Sequence, residues 1–139
     1  MNTPDPAPVI DLIEAFRRSK TMFTAVALGI FDRLEQGPAS AASLAKEVCA
    51  QPHSTERLLD ACVGLGFLRK SDGRYANEPV ASAYLCRSGD HSLTGYILYS
   101  NDVLFPMWAH LEDAVRDGSH RWRQTFGLEG AIFNHFFKQ

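Results

Sequence analysis

The segment GFLRKSDGRYAN, residues 66–77, decides the fold class. Asp72-Gly73 separates two short strand-like runs, Phe67 to Lys70 and Arg74 to Ala76. Asp-Gly favours a type I′ turn, because both central residues of that turn need a positive φ. A helical pattern runs directly into the first strand. Helix, helix, hairpin is the order of a winged helix, so the sequence predicts a mainly α fold with a short β-hairpin wing.

The first helix is predicted from about Val9 to Leu28, because apolar residues recur there at spacings of three and four. Its polar side is thin, and apolar residues cover much of its circumference. A helix of this kind is buried on more than one side. In a chain of 139 residues, this pattern indicates a partner subunit.

The remaining helices are placed by capping residues and breakers. Ser40 is expected to cap a helix over residues 41–48, and Ser54 or His53 a helix over residues 55–65. Asn77 is expected to cap a short helix that starts at Glu78. A long helix over residues 92–117 is expected to be kinked at Pro106 and ended by Gly118, and a last helix starts near Leu128.

The charge balance argues against a nucleic-acid partner. The net charge is -2 and the pI is near 6.2, whereas nucleic-acid-binding domains often have a pI above about 9. The predicted winged helix, residues 40–76, carries five bases and four acids: Lys46, Arg57, Arg69, Lys70 and Arg74 against Glu47, Glu56, Asp60 and Asp72. Non-specific DNA affinity needs several clustered bases. A winged helix that serves as a packing scaffold is therefore favoured over one that reads DNA.

Three widely spaced cysteines without a C-x-x-C motif indicate reduced thiols and a cytoplasmic protein. No apolar run approaches the roughly 18 residues of a membrane span, so no membrane partner is expected. Residues 1–8 contain three prolines and an acid, and are interpreted as a disordered lead-in. Residues 9–139 are assigned to one domain.

The sequence offers little support for catalysis, metal binding or cofactor binding. None of the five histidines forms an H-x-x-x-H or H-E-x-x-H pair. The one G-x-G, Gly64-Leu65-Gly66, follows a helix and precedes a strand, the reverse of a nucleotide-binding loop. The segment from Tyr96 to Gly118 mixes aromatic and polar residues around Pro106. It fits either a kinked core helix or one wall of a small-molecule pocket.

Four strings in this order resemble one family: SKTMFTAVALGIFDRL, STERLLDACVGLGFL, YILYSNDVLFPMWAHLEDAVRDG and QTFG. The chain resembles the N-terminal dimerisation domain of plant-type and acetylserotonin (hydroxyindole) O-methyltransferase-like S-adenosylmethionine-dependent methyltransferases. The resemblance covers about residues 10–137. It implies a winged-helix module that forms an intertwined homodimer through the first helix.

The resemblance also implies what the chain lacks and what it contributes. In the family, S-adenosylmethionine and the catalytic histidine belong to a second, Rossmann-like domain, and residues 1–139 show neither motif. No cofactor-binding or catalytic residue is therefore predicted, and the chain alone is expected to be inactive. By position in the family, the acceptor-binding residues would be Met22, Phe23, Tyr99, Asn101, Phe105, Met107 and Trp108.

The sequence thus predicts the dimerisation and acceptor-binding domain of an O-methyltransferase that acts on a small aromatic hydroxyl compound. Two alternatives stay open. One is a winged-helix DNA-binding regulator. The other is a stand-alone dimerisation partner of a full-length methyltransferase.

Overall fold

The computed structural model describes residues 2–127 and divides into two compact units, of which the first ends at Leu98 and the second begins at Tyr99. The first unit contains α1 (Ala7–Ala27), α2 (Ile30–Leu34), β1 (Ala39–Ser40), α3 (Ala41–Glu47), α4 (Pro52–Gly64), β2 (Leu68–Ser71), β3 (Arg74–Asn77) and α5 (Pro79–Tyr84). Helix α6 (Thr94–Tyr99) ends where the second unit begins. The second unit contains a π-helical segment (Ser100–Leu104), α7 (Phe105–Trp108), α8 (Leu111–Asp117) and α9 (Trp122–Phe126).

The winged helix in the first unit is confirmed. Asp72 and Gly73 have φ values of 52° and 72°, as a type I′ turn requires. Strands β2 and β3 pair antiparallel, with Ser71 opposite Arg74 beside the turn. A third strand, β1, was not predicted. It pairs with β3 in a sheet of order β1-β3-β2, and two residues are too few to show a strand pattern in sequence.

The core of the first unit lies between α1, α2, α4 and the inner face of the hairpin. Its largest fully buried side chains include Phe31, Leu59 and Tyr75. The Phe31 ring meets the Phe67 ring edge to face, with centroids 6.3 Å apart. Cys62 and Cys86 are buried and Cys49 is exposed, all three as free thiols. Burial raises the pKa of the Cys62 thiol to about 11, so this side chain is an uncharged core residue near neutral pH.

The predicted cap of α3 is confirmed and that of α4 is wrong. The Ser40 hydroxyl accepts a hydrogen bond from the Ser43 N–H at 3.2 Å. Helix α4 begins at Pro52, whose fixed φ suits the first turn of a helix. The Gln51 side chain therefore caps this helix, accepting from the Ser54 N–H at 2.7 Å, in place of Ser54 or His53.

Asn77 is not a helix cap, because it lies at the end of β3 and is buried. Its side-chain amide donates to the Phe31 carbonyl at 2.8 Å and to a Glu35 carboxylate oxygen at 2.7 Å. The cap position of α5 is Glu78, followed by Pro79 in the first turn as expected. Asn77 thus joins the hairpin to α2, a long-range role that the local sequence does not reveal.

The predicted long helix over residues 92–117 is interrupted. Pro106 lacks an N–H, and its ring would clash with the carbonyl four residues earlier, at Asp102. The backbone widens into a π-helical segment that ends at Leu104, two residues before the proline, and both prolines and π-helical turns are recognised causes of helix kinks. A further break at Ala109 and His110 separates α7 from α8. Gly118 ends α8 with φ 70°, as predicted.

Helix α1 begins at Ala7, two residues earlier than predicted, where the Asp5 carboxylate accepts the Ala7 N–H at 3.0 Å. The disordered lead-in over residues 1–8 stays a prediction. The predicted last helix from Leu128 lies outside the described residues.

Candidate functional site

The N-terminal half of α1 presents an apolar stripe to solvent. Val9, Leu12, Ile13 and Phe16 are 64%, 77%, 60% and 54% exposed, and their spacing puts them on one helix face. We call these four residues the α1 stripe. On the opposite face, Arg18 pairs with Asp11 at 3.1 Å. The first unit therefore carries a regular apolar surface that its own core does not use.

The C-terminal half of α1 packs into the core of the first unit. Ala25 and Val26 are buried, and Met22 and Phe23 are half-buried against the core. Within this chain, the two predicted acceptor-binding residues of α1 are thus core-packed, whereas the α1 stripe is exposed.

One base of the β-hairpin wing, Lys70, makes internal contacts with the helix that precedes the hairpin. The Lys70 ammonium lies 3.2 Å from an Asp60 carboxylate oxygen and 3.8 Å from one of Glu56. The Tyr75 hydroxyl donates to the same Asp60 oxygen at 2.5 Å, which lowers the pKa of that carboxyl. One of the wing's bases is therefore paired with acids of α4.

A cavity of about 220 Å³ lies within the second unit. Its lining is largely apolar and aromatic and consists of Met107, Trp108, Leu111, Ala114, His120, Arg121 and Trp122. We call it the tryptophan cavity, because both tryptophans of the chain line it. The His120 and Trp122 rings lie with centroids 5.8 Å apart, and Trp108 is 66% exposed.

The charge of Arg121 is balanced inside the protein. Its guanidinium donates to the carboxylate of Asp117, to the Ser119 hydroxyl at 2.6 Å and to the Gln124 side chain at 3.0 Å. Gln124 in turn donates to Asp113 at 2.7 Å, so this network joins α8 to α9. Hydrogen bonds from Ser119, together with Arg121, lower the pKa of Asp117 to about 2. The Asp117 carboxylate therefore stays charged beside Arg121 over the physiological range.

Of the seven predicted acceptor-binding residues, Met107 and Trp108 line the tryptophan cavity. Tyr99, Asn101 and Phe105 are half-buried in the preceding helical segments and are not in its lining. Five further lining residues were not predicted as site residues: Leu111, Ala114, His120, Arg121 and Trp122. No local pattern in the sequence indicates that α9 brings Trp122 to the same cavity as Trp108.

The part of the chain that the structure describes holds no cluster of metal-ligating side chains, and its G-x-G motif is the end of a helix. Among residues 2–127, no three His, Cys, Asp or Glu side chains lie together as metal ligands would. Gly64-Leu65-Gly66 ends α4, with Gly66 at φ 85°. Within the same range, no helix combines the length and apolar character needed to cross a bilayer.

The comparison with known proteins supports a family assignment. The model of the family "O-methyltransferase dimerisation domain" matches residues 10–87, more than half of the chain, so the chain belongs to this family. That match runs from within α1 to beyond α5, and it contains the winged helix and three of the four α1-stripe residues, Leu12, Ile13 and Phe16.

Individual relatives agree with this assignment. The chain is 38% identical over 125 residues to the human "Probable bifunctional dTTP/UTP pyrophosphatase/methyltransferase protein", covering 89% of the chain and 20% of that protein. It is 35% identical over 127 residues to mouse acetylserotonin O-methyltransferase, covering 87% and 33%. The crystal structure of human N-acetylserotonin methyltransferase in complex with SAM superposes with a TM-score of 0.87 at 32% identity, covering 100% of this chain and 43% of that one. The chain thus spans about a fifth to two-fifths of the length of these proteins.

Proposed function

We propose that this chain is the dimerisation domain of an S-adenosylmethionine-dependent O-methyltransferase that acts on a small aromatic hydroxyl compound. The family match and the names of the relatives support this proposal. In the complete enzyme, S-adenosylmethionine binds to a catalytic half outside residues 1–139. The chain alone pairs subunits and does not transfer a methyl group.

The α1 stripe is the observation that carries the dimerisation role. Four large apolar side chains on one face, each more than half exposed, are costly in water and are typical of an interaction surface. The N-terminal half of α1 is about ten residues long, and an isolated helix of fewer than about 12–15 residues is only marginally stable in water. This half of α1 therefore gains stability when a second copy of the chain covers it. The proposed dimer is therefore a homodimer formed through α1.

The experiment is light scattering on wild type and two α1 variants. We expect the wild-type chain to be a dimer at micromolar concentration. Leu12→Asp puts a charge into the proposed contact, which should raise the dimer dissociation constant by about ten-fold or more. Glu14→Lys changes the charge on a position outside the stripe and should leave the dimer intact. A monomeric wild type, or equal behaviour of the two variants, would overturn the role of α1.

The second part of the proposal is an acceptor-binding role in the complete enzyme. Met22, Phe23, Tyr99, Asn101, Phe105, Met107 and Trp108 would supply aromatic and thioether surface to a flat ring. Trp108→Ala and Phe23→Ala in the complete enzyme should each weaken acceptor binding. Unchanged acceptor affinity in both variants would remove this role and leave dimerisation standing.

We further propose that the winged helix does not bind DNA, because Lys70 is paired with Asp60 and Glu56 on α4. A mobility-shift assay with short duplex DNA at low salt should show no complex. A salt-dependent shift would favour the regulator alternative.

A further inference from the structure

The sequence contains two Asp-Gly pairs, Asp72-Gly73 at the tip of the hairpin and Asp117-Gly118 at the end of α8. Because glycine has no side chain, its backbone nitrogen can approach the side chain of the preceding aspartate closely. We propose that Asp72-Gly73 is a site of spontaneous covalent modification, at which aspartate converts to isoaspartate in the folded chain, and that the fold protects Asp117-Gly118. The proposal does not depend on the dimerisation or acceptor-binding roles.

The reaction needs no enzyme and no cofactor. The glycine nitrogen attacks the carbon of the protonated side-chain carboxyl group, a C–N bond forms, and the C–OH bond breaks. The hydroxyl group leaves as water with the proton of the nitrogen, so the product is a five-membered succinimide ring. Water then adds to one of the two ring carbonyls and gives either aspartate or isoaspartate. The reaction therefore requires a free carboxyl group, a free glycine N–H and a loop that can move.

Both reacting groups are free at the tip of the hairpin. Asp72 and Gly73 are exposed to solvent. Over residues 2–127, no group donates a hydrogen bond to the Asp72 carboxylate, no cation pairs with it, and the Gly73 N–H has no acceptor. Rotation about the Asp72 Cα–C bond, which brings the Gly73 nitrogen toward the carboxyl carbon, therefore breaks no hydrogen bond of either residue.

The hairpin tip can also open at little cost. Asp72 has a φ of 52°, a left-handed conformation that is unfavourable for a residue with a Cβ. The strand pairing next to the loop is the single pair of Ser71 and Arg74. Exposed loops and the ends of elements open more readily than the core. The folded protein therefore allows the movement that ring closure needs.

The same two groups are occupied at the second Asp-Gly pair. The Asp117 carboxylate accepts hydrogen bonds from the Ser119 N–H at 2.9 Å and the Ser119 hydroxyl at 2.8 Å, and it pairs with Arg121. These contacts lower the pKa of Asp117 to about 2, which makes the protonated, reactive carboxyl group more than about ten-fold rarer. The Gly118 N–H donates to the Ala114 carbonyl at 2.8 Å. Asp117 is thus protected by its contacts, although it is exposed.

The modification should change the hairpin at its tip. Isoaspartate adds one methylene group to the backbone of the loop, and a type I′ turn joins two strands only when the loop has two residues of ordinary backbone length. We therefore expect the Ser71–Arg74 pair to open in the modified chain.

The test follows both Asp-Gly pairs in one sample of the full chain, held at body temperature in mildly acidic buffer. Trypsin cuts after lysine and arginine, so residues 71–74 and residues 117–121 form two peptides with one Asp-Gly pair each. Liquid chromatography with mass spectrometry separates the aspartyl and isoaspartyl forms. We expect isoaspartate to accumulate at position 72 at least about ten-fold faster than at position 117. In denaturant the two rates should be similar, because the contacts of Asp117 are lost.

Two matched variants give a second readout. Asparagine undergoes the same ring closure with ammonia as the leaving group, so the reaction appears as a gain in mass. Asn-Gly also favours a type I′ turn, so Asp72→Asn keeps the hairpin. We expect Asp72→Asn to gain mass readily in the folded chain. Asp117→Asn should react more slowly, because the Gly118 N–H stays bound to the Ala114 carbonyl.

The outcomes separate the two parts of the proposal. Equal accumulation of isoaspartate at positions 72 and 117 in the folded chain would overturn the protection of Asp117. Reaction at position 72 in denaturant but not in the folded chain would overturn the modification site. Light scattering on the same samples tests dimerisation separately, since neither result depends on the oligomeric state.

Discussion

At the scale of single residues, position 89 requires glycine because backbone atoms lie too close for a side chain, and not because its φ is positive. A Cβ at this position would lie 2.3 Å from the Ala83 carbonyl oxygen and 2.7 Å from that of Ser82. Both atoms belong to the backbone of α5, so no side-chain rotation can relieve the clash. The loop after α5 can pass this closely only because residue 89 has no side chain.

We therefore expect Gly89→Ala to lower the free energy of unfolding by about 1–3 kcal/mol, the usual cost of overpacking. Gly95→Ala is the matched control. It lies in α6, nothing approaches its Cβ within 4 Å, and alanine there should be neutral or stabilising by about 0.5–1 kcal/mol. Chemical denaturation measures both. Equal stability of the two variants would contradict the close approach.

At the scale of secondary structure elements, the hairpin is joined to α4 by polar contacts as well as by the core. The buried Tyr75 of β3 donates its hydroxyl to Asp60 of α4, and Lys70 of β2 pairs with the same carboxylate. Lys70 also lies 5.0 Å from the centre of the Tyr75 ring. This arrangement fixes the orientation of the wing relative to α4.

The pKa of Asp60 tests this connection. Its folded value is lowered, first by the Tyr75 hydroxyl and then by Lys70. A lowered folded pKa means that the contact stabilises the fold above the unfolded pKa of about 3.9, and that this contribution is lost as the pH falls through the folded value. We expect Tyr75→Phe to raise the Asp60 pKa more than Lys70→Gln does. Carboxyl NMR titration measures the order, and the reverse order would refute the role of the hydroxyl.

At the scale of the whole molecule, α1 has two halves with different surroundings. The half near Ala25 and Val26 belongs to the core, whereas the half with the α1 stripe has no apolar cover within the described residues. Helix propensity alone makes a helical segment of about ten residues, such as the N-terminal half of α1, only marginally stable. The stability of the N-terminal half should therefore depend on a second copy of the chain.

We expect amide hydrogen exchange in residues 9–16 to quicken when the chain is diluted below its dimer dissociation constant, while residues 24–27 stay protected. Ile13→Asp should produce the same pattern without dilution. Hydrogen exchange followed by mass spectrometry resolves the two halves. Exchange in residues 9–16 that does not change with concentration would contradict the dependence on a partner.

Features set by a few neighbouring residues were predictable from the sequence. The Asp72-Gly73 turn, the Ser40 cap and the helix stop at Gly118 were all predicted and are confirmed. They were predictable because local backbone conformation and one nearby hydrogen bond decide them. The apolar excess of α1 was also readable, because helical periodicity shows which residues share a face.

Other features needed the folded chain. Strand β1 exists because β3 lies beside it, Asn77 is buried because α2 covers it, and Gln51 caps α4 because the helix starts at Pro52. The tryptophan cavity joins Trp108 and Trp122, which are brought together by the turn after α8.

By itself, the sequence determined the apolar character of the first helix, the hairpin and the family, since these follow from periodicity, turn chemistry and long matching strings. Only the tertiary structure decided which polar groups are paired and which apolar groups stay exposed, because contacts between residues distant in sequence set both.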